Sequence, residues 1–177
     1  MDQGLRSMIT LTLIIAVATI ALSATYVSTK DVIEENRDKE FLSMVHLIFP
    51  QTERIVSHDI YKEGDAVGEY YSAYDRRDQA IGYIVIEEVS GYQSRIRLVV
   101  GFDQDKTLKS VMILEQYETP GIGSKITEQE FLDQFRGKDI EELHLKNRGG
   151  SIDGISSATV SSQAVITGVR QSVEIMR

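Results

Sequence analysis

An uncharged apolar run near the N-terminus, residues 8–27, constrains the fold of this chain more than any other sequence feature. About 20 residues at a rise of about 1.5 Å each give a helix of about 30 Å, the hydrocarbon thickness of a bilayer. Arg6 precedes the run, and Lys30 and Asp31 follow it. The run therefore predicts one transmembrane helix that anchors the rest of the chain to a membrane.

A cleaved signal peptide is the alternative interpretation of this run. The segment Leu-Ser-Ala at 22–24 offers small residues to a peptidase, but the run exceeds the ~7–15 residues of a signal-peptide core. We therefore expect a retained, single-pass anchor in the cell membrane. Arg6 and the N-terminal amine, set against Asp2, favour a cytoplasmic N-terminus and an extracytoplasmic C-terminal domain. Detection of the intact N-terminus by mass spectrometry separates the two interpretations.

The residues after the run have the pattern of an α+β domain. Apolar residues at three- and four-residue steps predict a helix over residues 28–49, which Pro50 ends. Segments with strand character follow at a short spacing that indicates an antiparallel meander, at residues 70–74, 81–88, 96–102 and 108–115. The shorter predicted elements are a turn at 63–65, a capping box at 127–130 that starts a short helix, a small strand at 143–145 and a C-terminal helix over 160–173.

The predicted fold class is therefore α+β. One N-terminal transmembrane helix precedes a single domain with an antiparallel sheet flanked by helices. We expect residues 1–28 to form the anchor, residues 29–50 a stalk helix and residues 51–177 the extracytoplasmic domain.

Composition excludes several classes of function. The net charge of −8 argues against a nucleic-acid partner, because a phosphate backbone repels an acidic surface. The chain has no cysteine, which excludes Cys-ligated iron–sulfur clusters, disulfides and cysteinyl flavin links. Its three histidines lack a zinc-binding spacing, so we expect no metal site.

A stretch rich in small and hydroxylated residues, 153–162, precedes the predicted C-terminal helix. A phosphate needs N–H and hydroxyl donors and a close approach of the main chain, which such a loop at a helix N-terminus supplies. The alternative is an ordinary Ser/Thr N-cap, which is common.

Two further segments have functional and purely structural interpretations. Pro120 and Gly121, within residues 118–123, suit a type II turn and need no ligand. Residues 146–150 form a basic turn that either balances a phosphate or is simply solvated. Tyr83 and Tyr117 lie near these motifs and are candidates to stack on a ring, although packing is the usual role of tyrosine.

Together these segments resemble the FMN-binding domain shared by the G subunit of the Rnf electron-transport complex and the C subunit of the sodium-translocating NADH:quinone reductase. The resemblance covers nearly the whole chain. The length of this chain is closer to that of the Rnf G subunit than to that of the longer quinone-reductase subunit. The matching features follow in the same order: the N-terminal span, the helix ending at Pro50, Gly82-Tyr83, Ser90-Gly91-Tyr92, Val100-Gly101, residues 118–123 and residues 153–159.

The resemblance implies a set of site residues, with Thr159 carrying covalent FMN through a phosphoester. It implies that four residues line the phosphate: Ser156, Ser157, Ala158 and Ser161. It implies that four others lie against the isoalloxazine ring: Glu118, Thr119, Gly121 and Gly123. Lys125 matches a position that is often basic in the family. Ser157 departs from the family, which usually has glycine there, and a side chain at this position disfavours a positive φ angle.

The resemblance also implies a function and partners. It implies an electron-carrying subunit of a membrane-bound, ion-translocating ferredoxin:NAD⁺ oxidoreductase. The implied partners are the other membrane redox subunits of the Rnf complex and a flavin transferase that uses FAD. We expect this chain to act only as a redox subunit of the translocase, without turnover of its own and without a catalytic acid–base pair.

Three alternatives stay open at this point. One is a component of the C-subunit type from the quinone reductase. Another is a membrane-anchored flavin reductase, which turnover of soluble substrates without membrane subunits would favour. The third is a non-redox sensor or scaffold domain, which the absence of any bound flavin after co-expression with a flavin transferase would favour.

Overall fold

The computed structural model describes residues 3–62 and 65–177 and divides into two compact units, residues 1–41 and 42–177. Helix α1, Gln3–Ile48, starts in the first unit. Among the described residues it is the one helix long and apolar enough to cross a membrane. The predicted helices over residues 8–27 and 28–49 are thus one continuous helix. The boundaries at 28 and 50 between anchor, stalk and domain stay a prediction.

Hydroxyl groups within α1 are satisfied by the helix itself. Thr10, Thr19 and Thr25 each donate through Oγ1 to the carbonyl four residues earlier, at 2.9, 2.8 and 3.0 Å. A bilayer core offers no water to bond such groups, so they must find their acceptors within the protein. These threonines are therefore compatible with a membrane span.

Five antiparallel strands form the predicted meander, in the order β1-β2-β3-β4-β5. Their bounds are β1 Arg54–Lys62, β2 Asp65–Tyr74, β3 Ala80–Ser90, β4 Arg95–Phe102 and β5 Leu108–Glu115. Strand β1 was missed by sequence analysis, because residues 54–60 contain no fully buried position that would mark a strand. It is held by pairing with β2, where His58 stacks on Tyr70 at 4.8 Å. The predicted turn at 63–65 involves Glu63 and Gly64, which lie outside the described residues.

Helix α3, Thr159–Met176, packs on strands β3 and β4 and confirms the predicted C-terminal helix. Val165 and Val169 on its inner face are fully buried. Gly168 permits the close approach, because a Cβ atom there would lie 2.9 Å from Leu98 Cδ2. This packing fixes the N-terminus of α3, and with it Thr159, relative to the sheet.

The shorter elements differ in detail from the sequence prediction. Helix α2, Gln129–Leu132, confirms the short helix, but the predicted capping box is wrong. Thr127 belongs to a preceding 3-10 turn, Gly123–Thr127, and its hydroxyl donates to Ser124 O at 2.9 Å instead of capping α2. The predicted strand at 143–145 is reduced to a single parallel bridge between Leu145 and Ile152.

Candidate functional site

Helix α3 begins at Thr159 without a side-chain cap. Ala158 is the N-cap residue, and its methyl group cannot accept a hydrogen bond. Ser162 N donates to Ala158 O at 2.9 Å. The earlier N–H groups of the first turn have no intrahelical acceptor, and the helix dipole favours an anion at this end. The structure therefore contradicts the interpretation of this stretch as an ordinary Ser/Thr N-cap.

The loop before α3 is held by Ser162, a residue that sequence analysis did not single out. Its buried hydroxyl accepts from Ile155 N and donates to Ala158 O, both at 3.0 Å. Three other hydroxyls of this segment are exposed and form no hydrogen bond within the described residues: Ser156, Ser157 and Thr159. The loop shape is thus fixed by one buried serine, while the Thr159 hydroxyl has no competing partner there.

Ser157 adopts the left-handed backbone conformation, with φ of +66°. This region costs a non-glycine residue about 1–2 kcal/mol, whereas glycine adopts it freely. We expect Ser157→Gly to raise the free energy of unfolding by about 0.5–1 kcal/mol, because glycine's extra freedom in the unfolded chain offsets part of the relief. Thermal unfolding of the full-length protein measures the change.

Lys106 provides a matched control for this substitution, since it has the same φ of +66° in the turn between β4 and β5. Lys106→Gly is expected to stabilise the fold by a similar amount. A Ser157→Gly protein that is less stable than wild type contradicts the prediction of backbone strain at this position.

Glu118 is a buried carboxylate, 4% exposed, that joins separate segments of the site. Oε1 accepts from the N–H groups of Gln93 and Ser94 at 3.0 and 3.1 Å. Oε2 accepts from Tyr92 N at 3.2 Å and from Ser161 Oγ at 2.5 Å. The Ser161 hydroxyl therefore donates its one hydrogen bond to Glu118 and cannot also donate to a phosphate.

Hydrogen bonding also affects the charge state of Glu118. Burial raises the pKa of its carboxyl, but the hydrogen bonds from Ser161 and from the three backbone N–H groups outweigh burial and lower the pKa below its ordinary value. A lowered folded-state pKa stabilises the fold above the unfolded-state value of about 4.3. That stabilisation is lost as the pH falls through the folded-state pKa.

We therefore expect the free energy of unfolding to decrease as the pH falls below about 4.3. Glu118→Gln removes the titrating group, so this variant is expected to lose part of the acid dependence. Denaturant titrations of the full-length protein between about pH 3 and 7 measure it. Glu130→Gln, which changes an exposed carboxyl, is the control. Equal acid dependence in the Glu118 variant and wild type would contradict the prediction.

A cavity of about 430 Å³ borders the start of α3 and the turn at residues 118–123. It brings together most of the residues predicted from sequence: Glu118, Thr119, Gly123, Ser157, Ala158, Thr159 and Ser161. Ser156, Gly121 and Lys125 do not line it. Gly121 instead shapes the predicted turn, with φ of +72° and a bond from Ile122 N to Thr119 O at 3.1 Å.

The rim of this cavity contains three exposed hydrophobic residues that were not among the predicted site residues: Tyr92, Ile122 and Val160. The two tyrosines considered from sequence lie elsewhere. Tyr83 packs against the core and meets Tyr70 edge-on at 6.2 Å. Tyr117 is exposed, and its hydroxyl donates to Glu115 at 3.1 Å. The available signal for Tyr92 was the Ser90-Gly91-Tyr92 segment, which is one of the features that match the family.

A second cavity, of about 500 Å³, also borders Thr159 and Val160. Arg148 lines it and donates to Gln163 Oε1 at 3.4 Å. The two basic residues of the turn at 146–150 thus have different surroundings. Lys146 pairs with Asp153 at 2.5 Å, whereas Arg148 forms no ion pair within the described part of the chain. Arg148 thus places a positive charge in a cavity that Thr159 also borders, together with Glu88, whose carboxylate pairs with Arg95 and Arg97.

Two solved structures with a similar fold are C subunits of Na⁺-translocating NADH-quinone reductases. The crystal structure of NqrC from Shewanella oneidensis matches with a TM-score of 0.51 and 25% identity, covering 72% of this chain and 66% of that one. The C subunit of a Na⁺-translocating NADH-quinone reductase from Parabacteroides distasonis matches with a TM-score of 0.54 and 22% identity, over 70% of this chain and 75% of that one, which is a likeness of fold.

Sequence relatives extend over nearly the whole chain. Residues 91–174 match the family described as the FMN-binding domain. The G subunit of the ion-translocating oxidoreductase complex from Aliivibrio fischeri is 28% identical over 95% of this chain and 88% of that protein. The G subunit from Methanosarcina acetivorans is 31% identical over 96% of this chain and 92% of that protein. With the fold and the site geometry, these similarities establish that the chain belongs to the family of G subunits of ion-translocating oxidoreductase complexes and has its FMN-binding domain at residues 91–174.

Proposed function

We propose that this chain is an electron-carrying subunit of a membrane-bound, ion-translocating ferredoxin:NAD⁺ oxidoreductase (Rnf) complex, and that it holds FMN through a phosphoester on Thr159. The observation that carries the proposal is the exposed Thr159 hydroxyl, which has no hydrogen bond within the described residues. It stands at an uncapped helix N-terminus beside a cavity. Similarity to the G subunits of ion-translocating oxidoreductase complexes supports the class of complex.

The phosphate end of FMN fits the start of α3. Free N–H groups of the first helical turn and the helix dipole are suited to a phosphate, and no side chain competes for them. Arg148, which forms no ion pair within the described residues, adds a positive charge to the cavity that Thr159 and Glu88 also border. A phosphodiester at Thr159 would therefore find both donors and a countercharge, although the chain as a whole is acidic.

The ring end of FMN fits the cavity of about 430 Å³, a volume within the range of about 300–1,000 Å³ typical of ligand sites. Its rim combines apolar side chains at Ile122 and Val160 with polar groups at Thr119 and Thr159. An isoalloxazine ring has apolar faces and polar edges, so a mixed lining of this kind suits it. We infer that Thr119 and Gly123 lie beside the ring, and that the buried Glu118 lines the same cavity next to them.

Attachment of FMN to Thr159 requires a flavin transferase and FAD, from which the FMN is transferred. The Thr159 oxygen forms a bond to the phosphorus of the FMN moiety, and the bond from that phosphorus to the AMP oxygen breaks. AMP leaves with the electron pair, and the hydroxyl proton passes to a base of the transferase. The step changes no oxidation state. N–H groups at the start of α3 stabilise the charge on the transferred phosphoryl oxygens.

Bound flavin supplies the redox chemistry, while the protein binds, orients and shields it. A covalent link through the phosphate keeps the cofactor on the protein outside the cytoplasm. Helix α1 anchors the chain in the cell membrane, with the N-terminus cytoplasmic and the domain extracytoplasmic. Other redox subunits of the complex donate and accept the electrons, so turnover requires them.

Peptide mapping tests the proposal on the full-length protein co-expressed with a flavin transferase. Trypsin cleaves after Arg148 and Arg170 and releases residues 149–170, which contain Thr159 and the neighbouring serines. We expect this peptide to gain the mass of one esterified FMN, and fragment ions to locate it on Thr159. Protein expressed without the transferase is the control. An unmodified peptide, or FMN on another residue, overturns the assignment.

A further inference from the structure

Tyr92 is an exposed aromatic side chain on a firmly held turn. It is 73% exposed and lines the cavity that Thr159 borders. The turn joins β3 to β4 and is closed by a hydrogen bond from Gly91 N to Ser94 O at 2.8 Å. The ring of Tyr92 has no ring contact and no hydrogen bond within the described residues. A large exposed ring on a fixed backbone is suited to contact a ligand.

The backbone of this turn is fixed mainly by Glu118. Three successive N–H groups, those of Tyr92, Gln93 and Ser94, donate to its carboxylate at 3.0–3.2 Å. Tyr117 N donates to Ser94 Oγ at 3.0 Å and adds a tie between the same two segments. The position of the Tyr92 backbone is therefore set by a buried residue that lies 26 positions away in the chain.

Two glycines make room for this carboxylate. A Cβ atom at Gly91 would lie 2.5 Å from Glu118 Oε1, and one at Gly123 would lie 2.8 Å from Glu118 Cβ. Real Cβ atoms do not approach that closely. Ser161 completes the enclosure from helix α3, with its hydroxyl donating to Oε2 at 2.5 Å. The carboxylate thus sits in a built pocket that connects the Tyr92 turn to the helix of Thr159.

We infer that Tyr92 packs its ring against the isoalloxazine of the bound flavin, and that Glu118 is the positioning residue that holds Tyr92 there. The inference rests on the proposed FMN function. Aromatic rings favour stacked or edge contacts with other planar rings. Because the backbone of Tyr92 is already fixed, the contact orders little more than one side chain, which favours binding.

Fluorescence and solvent access of the flavin test this contact. An excited flavin accepts an electron from a tyrosine in contact with it, so the contact quenches flavin fluorescence. In full-length protein carrying flavin, we expect Tyr92→Ala to raise fluorescence per bound flavin several-fold and to increase quenching by iodide. Tyr92→Phe should keep the shielding from iodide, because a ring remains, but lose the internal quenching. Tyr117→Ala is the matched control, a tyrosine 69% exposed outside the cavity lining, and should change neither readout.

A double-mutant cycle tests the role of Glu118. Glu118→Gln keeps the shape of the side chain but places an amide N–H group against backbone donors, so the turn should loosen. We expect this variant to raise fluorescence in the same direction as Tyr92→Ala, and the double variant to add nothing further. Ser161→Ala, which removes one donor to the carboxylate, should give a smaller effect of the same sign. Additive effects of Glu118→Gln and Tyr92→Ala would overturn the positioning role.

The outcomes separate this inference from the proposed function. If wild type carries flavin on Thr159 and Tyr92→Ala changes neither fluorescence nor iodide access, the ring contact is overturned and the proposed function stands. If wild type carries no flavin after co-expression with the transferase, both are overturned. Flavin present with the expected contrast between Tyr92→Ala and Tyr117→Ala supports the inference.

Discussion

Thr159→Ala is expected to remove all denaturation-resistant flavin from the protein, because alanine has no oxygen to form the ester. The two nearest hydroxyls within α3 are poor substitutes, and the exposed Ser156 and Ser157 precede the first turn of the helix. Ser161 is 1% exposed and already donates to Glu118, and Ser162 is enclosed by Ile155 and Ala158. In-gel flavin fluorescence of the full-length protein, co-expressed with a flavin transferase and run after denaturation, measures the loss.

Two variants control this experiment. Thr159→Ser keeps a hydroxyl at the start of α3 and should retain covalent flavin, at the same or a lower level. Thr167→Ala changes an exposed threonine further along α3, whose hydroxyl donates to Gln163 O at 2.9 Å, and should retain all of the flavin. Thr159 is exposed, so its replacement by alanine should change stability by no more than about 0.5 kcal/mol. Denaturation-resistant flavin on the Thr159→Ala protein would show that the anchor is another residue.

Glu118→Ala is expected to lower the free energy of unfolding by about 2–4 kcal/mol, since a buried donor left without its acceptor costs about 1–3 kcal/mol. Four donors lose their acceptor in this variant: the N–H groups of Tyr92, Gln93 and Ser94, and the Ser161 hydroxyl. The exposed part of the turn regains water, which keeps the total below the sum of four full penalties. Domains are stable by about 5–15 kcal/mol, so this loss is a large fraction.

Chemical denaturation of the full-length protein in detergent measures the Glu118 effect. Glu130→Ala removes a carboxylate from the exposed side of α2 and should change stability by no more than about 0.5 kcal/mol. Glu118→Gln should lie between the two, because its amide oxygen still accepts hydrogen bonds. If Glu118→Ala is as stable as Glu130→Ala, the carboxylate does not hold the site together.

Local patterns were enough for the main elements of the fold. Helix α1 follows from an uncharged run of bilayer length, and the meander from short apolar strands at close spacing. Strand β1 was missed because its stabilisation comes from pairing with β2 and from one stacked pair, His58 and Tyr70, which leave little pattern in the sequence. The capping box at residues 127–130 failed because Thr127 belongs to the preceding turn.

The candidate site was likewise predicted only in part from the sequence. Hydroxyl-rich residues before a helix pattern, together with the family resemblance, were sufficient to single out Thr159 and the turn at 118–123. The sequence did not indicate that Ala158 occupies the N-cap position, or that Ser162 rather than Ser161 holds the loop. Nor did it indicate that Tyr92, and not Tyr83 or Tyr117, lines the cavity.

The sequence by itself determined the long apolar helix, four of the five strands and the residue types able to hold a phosphate, because each depends on neighbours within a few positions. Only the tertiary structure decided how these residues work together. Glu118 meets the turn at Tyr92 and the helix at Ser161 across 26 and 43 positions of chain. Those contacts exist because α3 packs on β3 and β4 and brings its N-terminus to the turn between these strands. Packing of this kind depends on the whole fold, and no local pattern encodes it.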